Sequence, residues 1–355
     1  MADQTHLLPL VSVVVPVFNG ERYLRASLNS ILAQTYPRLE LLVMDDASTD
    51  ATAEIISSYK DRVTPYRQPH NRGQFANVND GIVRAQGEYI AVYHADDVYD
   101  PTIVEREVTF LQEHPEAGAV FCLALFIDAL GRKCGGFQVP TEVRGGGPFD
   151  YKTILNALLL HKNTFICGPS SMVRASVYKD VGVYRGDEFG IASDLEMWVR
   201  IAERHPVGIL GEHLLQYRFG HGNLSENYYR HRTELERYFL IIDQYLKRGG
   251  KNCVSRAALA ALEAHRAEDC LMVAANYYIL GRRVECRQIL GYVKATRILA
   301  SPQVQRWRLL ILLLMMNILV CLPRIRFVAD FFHRRWHINK YVKLTPELRS
   351  LLETK

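Results

Sequence analysis

"VSVVVPVFNGERYLRASLNSILAQTYPRLELLVMDD", Val11 to Asp46, decides the fold. Its opening, Val11 to Val17, is a run of β-branched apolar residues with almost no polar alternation, the pattern of a strand covered on both faces. Leu24, Leu28, Ile31 and Leu32 then recur at helical spacing, with Asn19 placed as the N-cap. A second apolar run, Leu39 to Met44, ends on the pair Asp45-Asp46. Strand, helix and strand of these lengths make a right-handed crossover between parallel strands.

The alternation continues outward. A helix of about Ala51 to Tyr59, a strand near Val63, a helix in "GQFANVNDGIVRAQ" and a strand in "EYIAVYH" follow. These units predict an α/β fold with a mostly parallel, Rossmann-like sheet flanked by helices. Ligands of such sheets bind beyond the carboxyl ends of the strands, where both Asp45-Asp46 and Asp96-Asp97 fall, so the two pairs are expected to open on one crevice. Asp100 is expected to cap a helix from Pro101 to about His114, and "GAVFCLALFI" reads as a further strand. "LGRKCGGFQ" and "RGGGP" read as turns or loop. Ser193 and Glu196 have capping-box spacing ahead of "MWVRIAERH", and "VGILGEHLLQYRF" returns to strand character. After about Glu226 the pattern is helical: Tyr228 to Lys247, Cys253 to Leu280 and Arg282 to Leu299. The expected organisation is an α/β domain over 1–225, a helical domain over 226–300 and a basic, apolar helical segment over 301–355.

Composition narrows the classes. The net charge of +5 is uneven: residues 301–345 hold eight Lys or Arg and one acid, Asp330, so this segment carries +7 and the rest −2. Seven scattered cysteines, without a CxxC pair or a histidine at zinc spacing, argue against a disulfide framework or structural metal and fit a reducing compartment. No basic region precedes "LLPLVSVVVPVF", which reads as core strand rather than signal peptide. There is no G-x-G-x-x-G after the first strand, no P-loop and no G-x-S-x-G elbow, so those nucleotide and hydrolase signatures are missing. An acidic crevice remains. Adjacent carboxylates suit a hard divalent cation bound together with substrate phosphates. From the residues alone, Asp96 fits either that role or a solvated turn. Asp194, in "GIASDLEMWVRIA", fits either a general base or a first-turn complement to the helix dipole.

Taken together, the Val11–Thr52 stretch and "NRGQFANVNDGIVRAQGEYIAVYHADDVYDP" closely resemble the inverting family 2 glycosyltransferases, over roughly the first two-thirds of the chain. The resemblance implies a GT-A fold, a nucleotide-diphosphate sugar donor, most often a UDP-sugar, and Mn²⁺ or Mg²⁺ as cofactor. It implies that Pro16, Phe18 and Glu21 line the nucleotide pocket, that Asp46 hydrogen-bonds the base, and that Arg72 lies nearby. "His94-Ala95-Asp96" stands at the family's D-x-D position, so Asp96 becomes the metal ligand, with His94 and Asp97 as further candidates. His94 departs from the pattern, and an imidazole there would favour Mn²⁺ over Mg²⁺. Asp194 matches the family's catalytic acid, the preceding glutamate being replaced by Ser193. It would take the proton of an acceptor hydroxyl as general base. Pro169, Ser170 and Ser171 would border the acceptor cleft, and Arg218 and His221 would neutralise the leaving diphosphate. A sugar nucleotidyltransferase is the rival enzyme, but "PVFNGERYL" lacks its Gly-rich, Arg-containing loop. A non-catalytic scaffold is the other rival, and the presence of Asp46, Asp96 and Asp194 argues against it.

Leu309 to Leu322 is strongly apolar but shorter than the roughly 20 residues a spanning helix needs. Flanking arginines and the mixture of Phe327, Phe331, Phe332 and Trp336 with basic residues suit an anionic membrane surface. A buried helix, a homo-oligomer interface and a spanning hairpin are the other readings. Basic residues interleaved with bulky aliphatics, without a recognition motif, do not suit nucleic acid. The expected setting is therefore the cytoplasmic face of the cell membrane, with a glycan or lipid-linked acceptor.

Overall fold

The computed structural model describes residues 8–220, 232–300 and 306–322. These divide into two compact units: one of residues up to 154 together with 163–221, the other of 155–162 together with the chain after 221.

The first unit is built on β1 (Val11–Val17), α1 (Leu24–Leu32), β2 (Leu39–Asp45), α2 (Thr52–Ser57), β3 (Thr64–Arg67), α3 (Gln74–Arg84) and β4 (Tyr89–Val92). It continues with β5 (Val98–Tyr99), α4 (Ile103–Glu113), β6 (Ala119–Ile127), β7 (Lys133–Gly136), β8 (Gly146–Phe149), the first turn of α5 (Tyr151–His161), whose remainder from 155 belongs to the second unit, and β9 (Ser171–Arg174). Helices α6 (Ala175–Val181), α7 (Gly186–Phe189) and α8 (Ser193–Ala202) lead to β10 (Val207–Arg218). All ten strands form one sheet, ordered β3-β2-β1-β4-β9-β6-β10-β5, with β7 on β6 and β8 on β10.

Strands β3, β2, β1 and β4 are parallel, β9 runs against both β4 and β6, and β10 is parallel to β6. Two reversals restore the direction, so the carboxyl ends of β3, β2, β1, β4, β6 and β10 share one edge. The amino end of antiparallel β9 comes to the same edge. This topology gathers the site.

β1 is covered on both sides, as its composition demands. Val11, Val13, Val15 and Val17 join a core with Leu24, Leu28 and Ile31 of α1 and with Ile103, Val104, Val108 and Leu111 of α4. On the other side α3 comes close through Gly81, where a Cβ would lie 2.4 Å from Val14 Cγ1. Asn77 of the same helix donates to the Met44 carbonyl (2.7 Å), satisfying a buried backbone acceptor.

Several local expectations are corrected. Asn19 is not the N-cap of α1, a position Tyr23 holds without a side-chain bond. Asn19 instead has φ +51°, which a short polar residue tolerates, and its Oδ1 accepts the Thr49 N–H at 2.8 Å. Asp100 receives the Thr102 N–H (2.9 Å) as a turn just ahead of α4, whose N-cap is Thr102. Ser193 lies inside α8, its hydroxyl donating to the carbonyls of Gly190 (2.6 Å) and Arg185 (3.2 Å), while Glu196 pairs with Arg200. No capping box forms, because a tight turn at Gly190–Ala192 already starts the winding. The Gly-rich stretches are partly strand, β7 and β8, held by partners distant in sequence.

The second unit comprises α9 (Arg237–Lys247), α10 (Arg256–Ile279), α11 (Arg283–Gly291), α12 (Ala295–Leu299) and α13 (Arg306–Cys321). The helix expected over Arg282 to Leu299 is two, broken between Gly291 and Ala295. Ser255 caps α10 by accepting the Ala258 N–H (3.1 Å). Leu271, Tyr278, Cys286, Leu290, Leu309 and Met316 share a core. Asp269, fully buried on α10, takes the Arg232 guanidinium on both oxygens (2.6 and 3.2 Å) and the Glu236 N–H at 2.9 Å. Lys162 pairs with Glu236, which ties the 155–162 segment into this unit. No helix among the described residues is long and apolar enough to cross a membrane.

Candidate functional site

The crevice rim is laced by bonds between side chains and backbone. After β1 the Asn19 N–H donates to Ser48 Oγ (2.9 Å) and the Gly20 N–H to Thr52 Oγ1 (2.8 Å). Glu21 accepts the Ala51 N–H through Oε2 (3.1 Å). Pro16 lies near the end of β1 opposite Met44, and Phe18, 50 % exposed, presents a ring at the rim.

Asp46 is 2 % exposed, and both its oxygens are engaged: Oδ1 accepts the Arg72 N–H (2.8 Å) and Oδ2 the Gly73 N–H (2.9 Å). It thereby fixes the loop that carries Arg72, whose side chain turns to Asp80. Asp45 likewise holds its own loop, accepting the Ser48 N–H at 2.9 Å.

The second acid pair follows β4. Ligand atoms of His94, Asp96 and Asp97 lie within 4.8 Å of one another, with half-buried Ala95 between the first two. Burial pushes the His94 imidazole below its usual pKa against the pull of Asp96, leaving a neutral ring whose nitrogen can act as a ligand. Its backbone is held by the Tyr99 hydroxyl, which accepts the His94 N–H at 2.6 Å, and Tyr99 stacks on Tyr93 with centroids 4.0 Å apart. Asp97 is 1 % exposed. Its Oδ1 accepts the Arg218 N–H (2.8 Å), while Oδ2 has no hydrogen-bond partner among the described residues. Burial, then the neighbouring Asp96, raises its pKa well above the carboxylate range. A cation or a proton at this spot would relieve the unpartnered oxygen, and two carboxylates with a neutral imidazole are a fitting donor set for Mn²⁺ or Mg²⁺.

Arg218 is 6 % exposed: its Nε donates to the Asp96 carbonyl (2.8 Å), Nη1 to the Asp128 carbonyl (3.1 Å), and Cζ stacks 4.4 Å from the Tyr23 ring centre. These bonds position the acidic loop. His221 lies outside the described residues.

Ser170 and Ser171 are fully buried and so cannot border an open acceptor cleft. The Ser170 hydroxyl donates to the carbonyls of Cys167 (2.8 Å) and Cys122 (3.0 Å), bracing the short turn before β9. Gly168, half-buried and beside Asp194, carried no sequence signal. Burial, then Cys122, Asp97 and Asp194, push the Cys167 thiol well up.

Asp194 stands in the first turn of α8, half-buried, its Oδ1 accepting the Leu195 N–H at 2.7 Å. The backbone donors at the helix start favour its ionised form, but loss of solvent outweighs them and pushes its pKa up to about 6. Such a carboxyl is ionised at neutral pH yet basic enough to accept a proton. Oδ2 lies beside Gly168, 3.4 Å from where a Cβ would sit, and Trp198 Nε1 lies 3.8 Å from the same point. Trp198 is held between Phe121 and Tyr184, with centroids 4.9 and 5.7 Å away. Arg200, ion-paired with Glu196 at 2.9 Å, donates to the Val183 carbonyl (2.9 Å) and fixes the helix.

Sequence and fold comparisons bear on the family and the fold. The sequence model of "Glycosyl transferase family 2" matches residues 12–182. An uncharacterized glycosyltransferase of Haemophilus influenzae is 32% identical over 232 residues, covering 63% of this chain and 69% of that protein. The putative glycosyltransferase EpsE of Bacillus subtilis is 32% identical over 200 residues, covering 55% and 67%. Among solved structures, S. aureus TarS 1–349 in complex with UDP-GlcNAc has a similar fold, with a TM-score of 0.58 at 17% identity over 93% of each chain.

Proposed function

Since the chain belongs to glycosyl transferase family 2 and has its GT-A fold, we propose that it moves a sugar, with inversion, from a nucleotide-diphosphate sugar to an acceptor hydroxyl. The observation that supports this reading is the group His94, Asp96 and Asp97 just after β4, whose ligand atoms lie within 4.8 Å of one another and suit a divalent cation. The UDP-GlcNAc complex of the fold neighbour favours a UDP-sugar as donor. A glycan or lipid-linked acceptor at the inner face of the cell membrane fits the basic, apolar C-terminal segment, in keeping with a role in surface polysaccharide or glycoconjugate synthesis.

In this mechanism Phe18 offers a flat apolar face to the base, while Asp46 holds the Arg72–Gly73 loop against the nucleotide. His94, Asp96 and Asp97 would hold Mn²⁺ or Mg²⁺, which supplies positive charge against the diphosphate as it departs. Asp194 takes the proton of the acceptor hydroxyl as that oxygen attacks the anomeric carbon from the face opposite the leaving group. Trp198, Phe121 and Tyr184 exclude water around the carboxylate and keep it basic. Arg218 keeps the acidic loop in register through the Asp96 carbonyl and the Asp97 carboxylate.

A donor screen on the purified full chain tests this. Nucleotide release is scored from UDP-, GDP- and dTDP-sugars with Mn²⁺ or Mg²⁺. Turnover of one donor class, lost in Asp194→Asn, is expected. Absence of turnover and of thermal stabilisation by UDP, GDP and dTDP with Mn²⁺ would reject the transferase reading.

A further inference from the structure

Helix α13 is apolar on every side, but only one side is covered. Leu309, Leu312, Met316, Leu319 and Val320 enter the core of the helical unit. Trp307, Ile311, Leu314, Met315, Ile318 and Leu322 point outward and are 41–63 % exposed. Their spacing keeps them on one stripe along the helix and its carboxyl end. Asn317, the one uncharged polar residue of the helix, turns its amide back to the Leu313 carbonyl (2.8 Å) and so leaves the stripe without a competing polar group. A surface helix facing water would carry charge here. A contiguous apolar patch of this kind marks a surface that meets something else.

Charge identifies the partner. None of the 16 residues of α13 is acidic, and Arg306 and Arg308 stand exposed at its amino end. Residues 301–345 hold eight basic residues and one acid. At the helical rise, the 16 described helical residues span about 24 Å, short of the roughly 30 Å hydrocarbon layer. We propose that the outer stripe of α13 docks in the headgroup–acyl boundary of an anionic lipid bilayer, with Arg306 and Arg308 against the headgroups. A second copy of the chain is disfavoured because the stripe has no acid to receive its partner's arginines. The inference concerns α13 alone and stands or falls independently of the donor chemistry, although it would give the membrane-face setting of the transferase reading a physical basis.

The test is co-sedimentation of the full chain with vesicles of equal parts phosphatidylglycerol and phosphatidylcholine, against phosphatidylcholine alone. Binding to the anionic vesicles is expected to be at least about tenfold tighter. The triple variant Ile311→Glu, Leu314→Glu, Ile318→Glu changes only exposed side chains and is expected to lose binding while keeping its far-ultraviolet circular dichroism and its melting temperature. Quenching of Trp307 by brominated lipid in the otherwise unaltered chain, compared with Trp307→Phe, reads insertion without disturbing the aliphatic stripe. Equal binding to neutral vesicles, undiminished binding by the triple variant, or absence of Trp307 quenching would overturn the proposal. So would a lipid-indifferent dimer that the triple variant dissociates, which would assign the stripe to a second copy.

Discussion

Replacing Asp194 by asparagine should yield a protein that is more stable and nearly inactive. Burial lifts the pKa of Asp194 from the ordinary 3.8 to about 6, so the native state disfavours the charged form. At 1.36 kcal/mol per pH unit this amounts to a penalty of about 3 kcal/mol once both folded and unfolded chains are ionised. The sign follows from proton binding. Between pH 4 and 6 the folded chain holds the proton more tightly, so its advantage is fully present below about pH 4 and is lost as pH rises through 6. Asparagine keeps an oxygen for the Leu195 N–H but carries no charge to desolvate. Asp194→Asn should therefore gain up to about 3 kcal/mol over the parent chain at pH 7.5 and about half of that at pH 5. For a unit of this size each kcal/mol is worth about 2–4 °C in melting temperature. The assay is thermal unfolding of both proteins at the two pH values, alongside nucleotide release, which should fall about 10²–10⁴-fold. A variant no more stable than the parent at pH 7.5, or a gain unchanged between pH 5 and 7.5, would refute a desolvated carboxylate at this position.

The other expectations concern neighbouring residues. Asp96→Ala should abolish Mn²⁺-stimulated nucleotide release, by about 10²-fold or more, while keeping the backbone carbonyl that accepts from Arg218 Nε. In Gly168→Ala the added methyl meets nothing closer than Asp194 Oδ2 at 3.4 Å, so stability should change by less than about 1 kcal/mol. That methyl would nevertheless crowd the base, and kcat/KM should drop about tenfold or more; unchanged kinetics would show that acceptors do not approach Asp194 from this side. Asp269→Asn should destabilise the helical unit by about 3 kcal/mol, since it removes the carboxylate paired with the buried Arg232 guanidinium at 2.6 Å and leaves Glu236 at 4.0 Å as the nearest counter-charge. Denaturant melts followed by circular dichroism would measure this.

Much of the sheet was legible in sequence because β1, β2 and their crossover helix obey simple periods. Asp96 stands at a strand end and Asp194 at a helix start, positions fixed by local pattern. What stayed hidden depends on partners far along the chain. Nothing in "LGRKCGGFQ" announces a strand, because β7 exists through pairing with β6. Ser170 and Ser171 look like surface residues, yet the sheet buries them by running β9 between β4 and β6. Arg218 reads as a free cation until the fold brings Asp96, Asp128 and Tyr23 around it. The proton affinity of Asp194 was misread for the same reason: the helix dipole is visible in sequence, but the solvent lost around the carboxyl is not.

The assignment of residues 155–162 to the helical unit has a consequence for how the chain is made. Lys162 finds Glu236 only 74 residues later, and Leu160 offers its carbonyl to His265 across 105 residues. At a synthesis rate of about 5–20 residues per second, this segment waits several seconds or more after leaving the ribosome before its partners are translated. Throughout that interval Leu158 and Leu159, both fully buried in the finished protein, lack their later-made neighbours in the helical unit. A stop codon placed after β10 would make the wait permanent. Stalling of synthesis between residues 163 and 232 would prolong that interval.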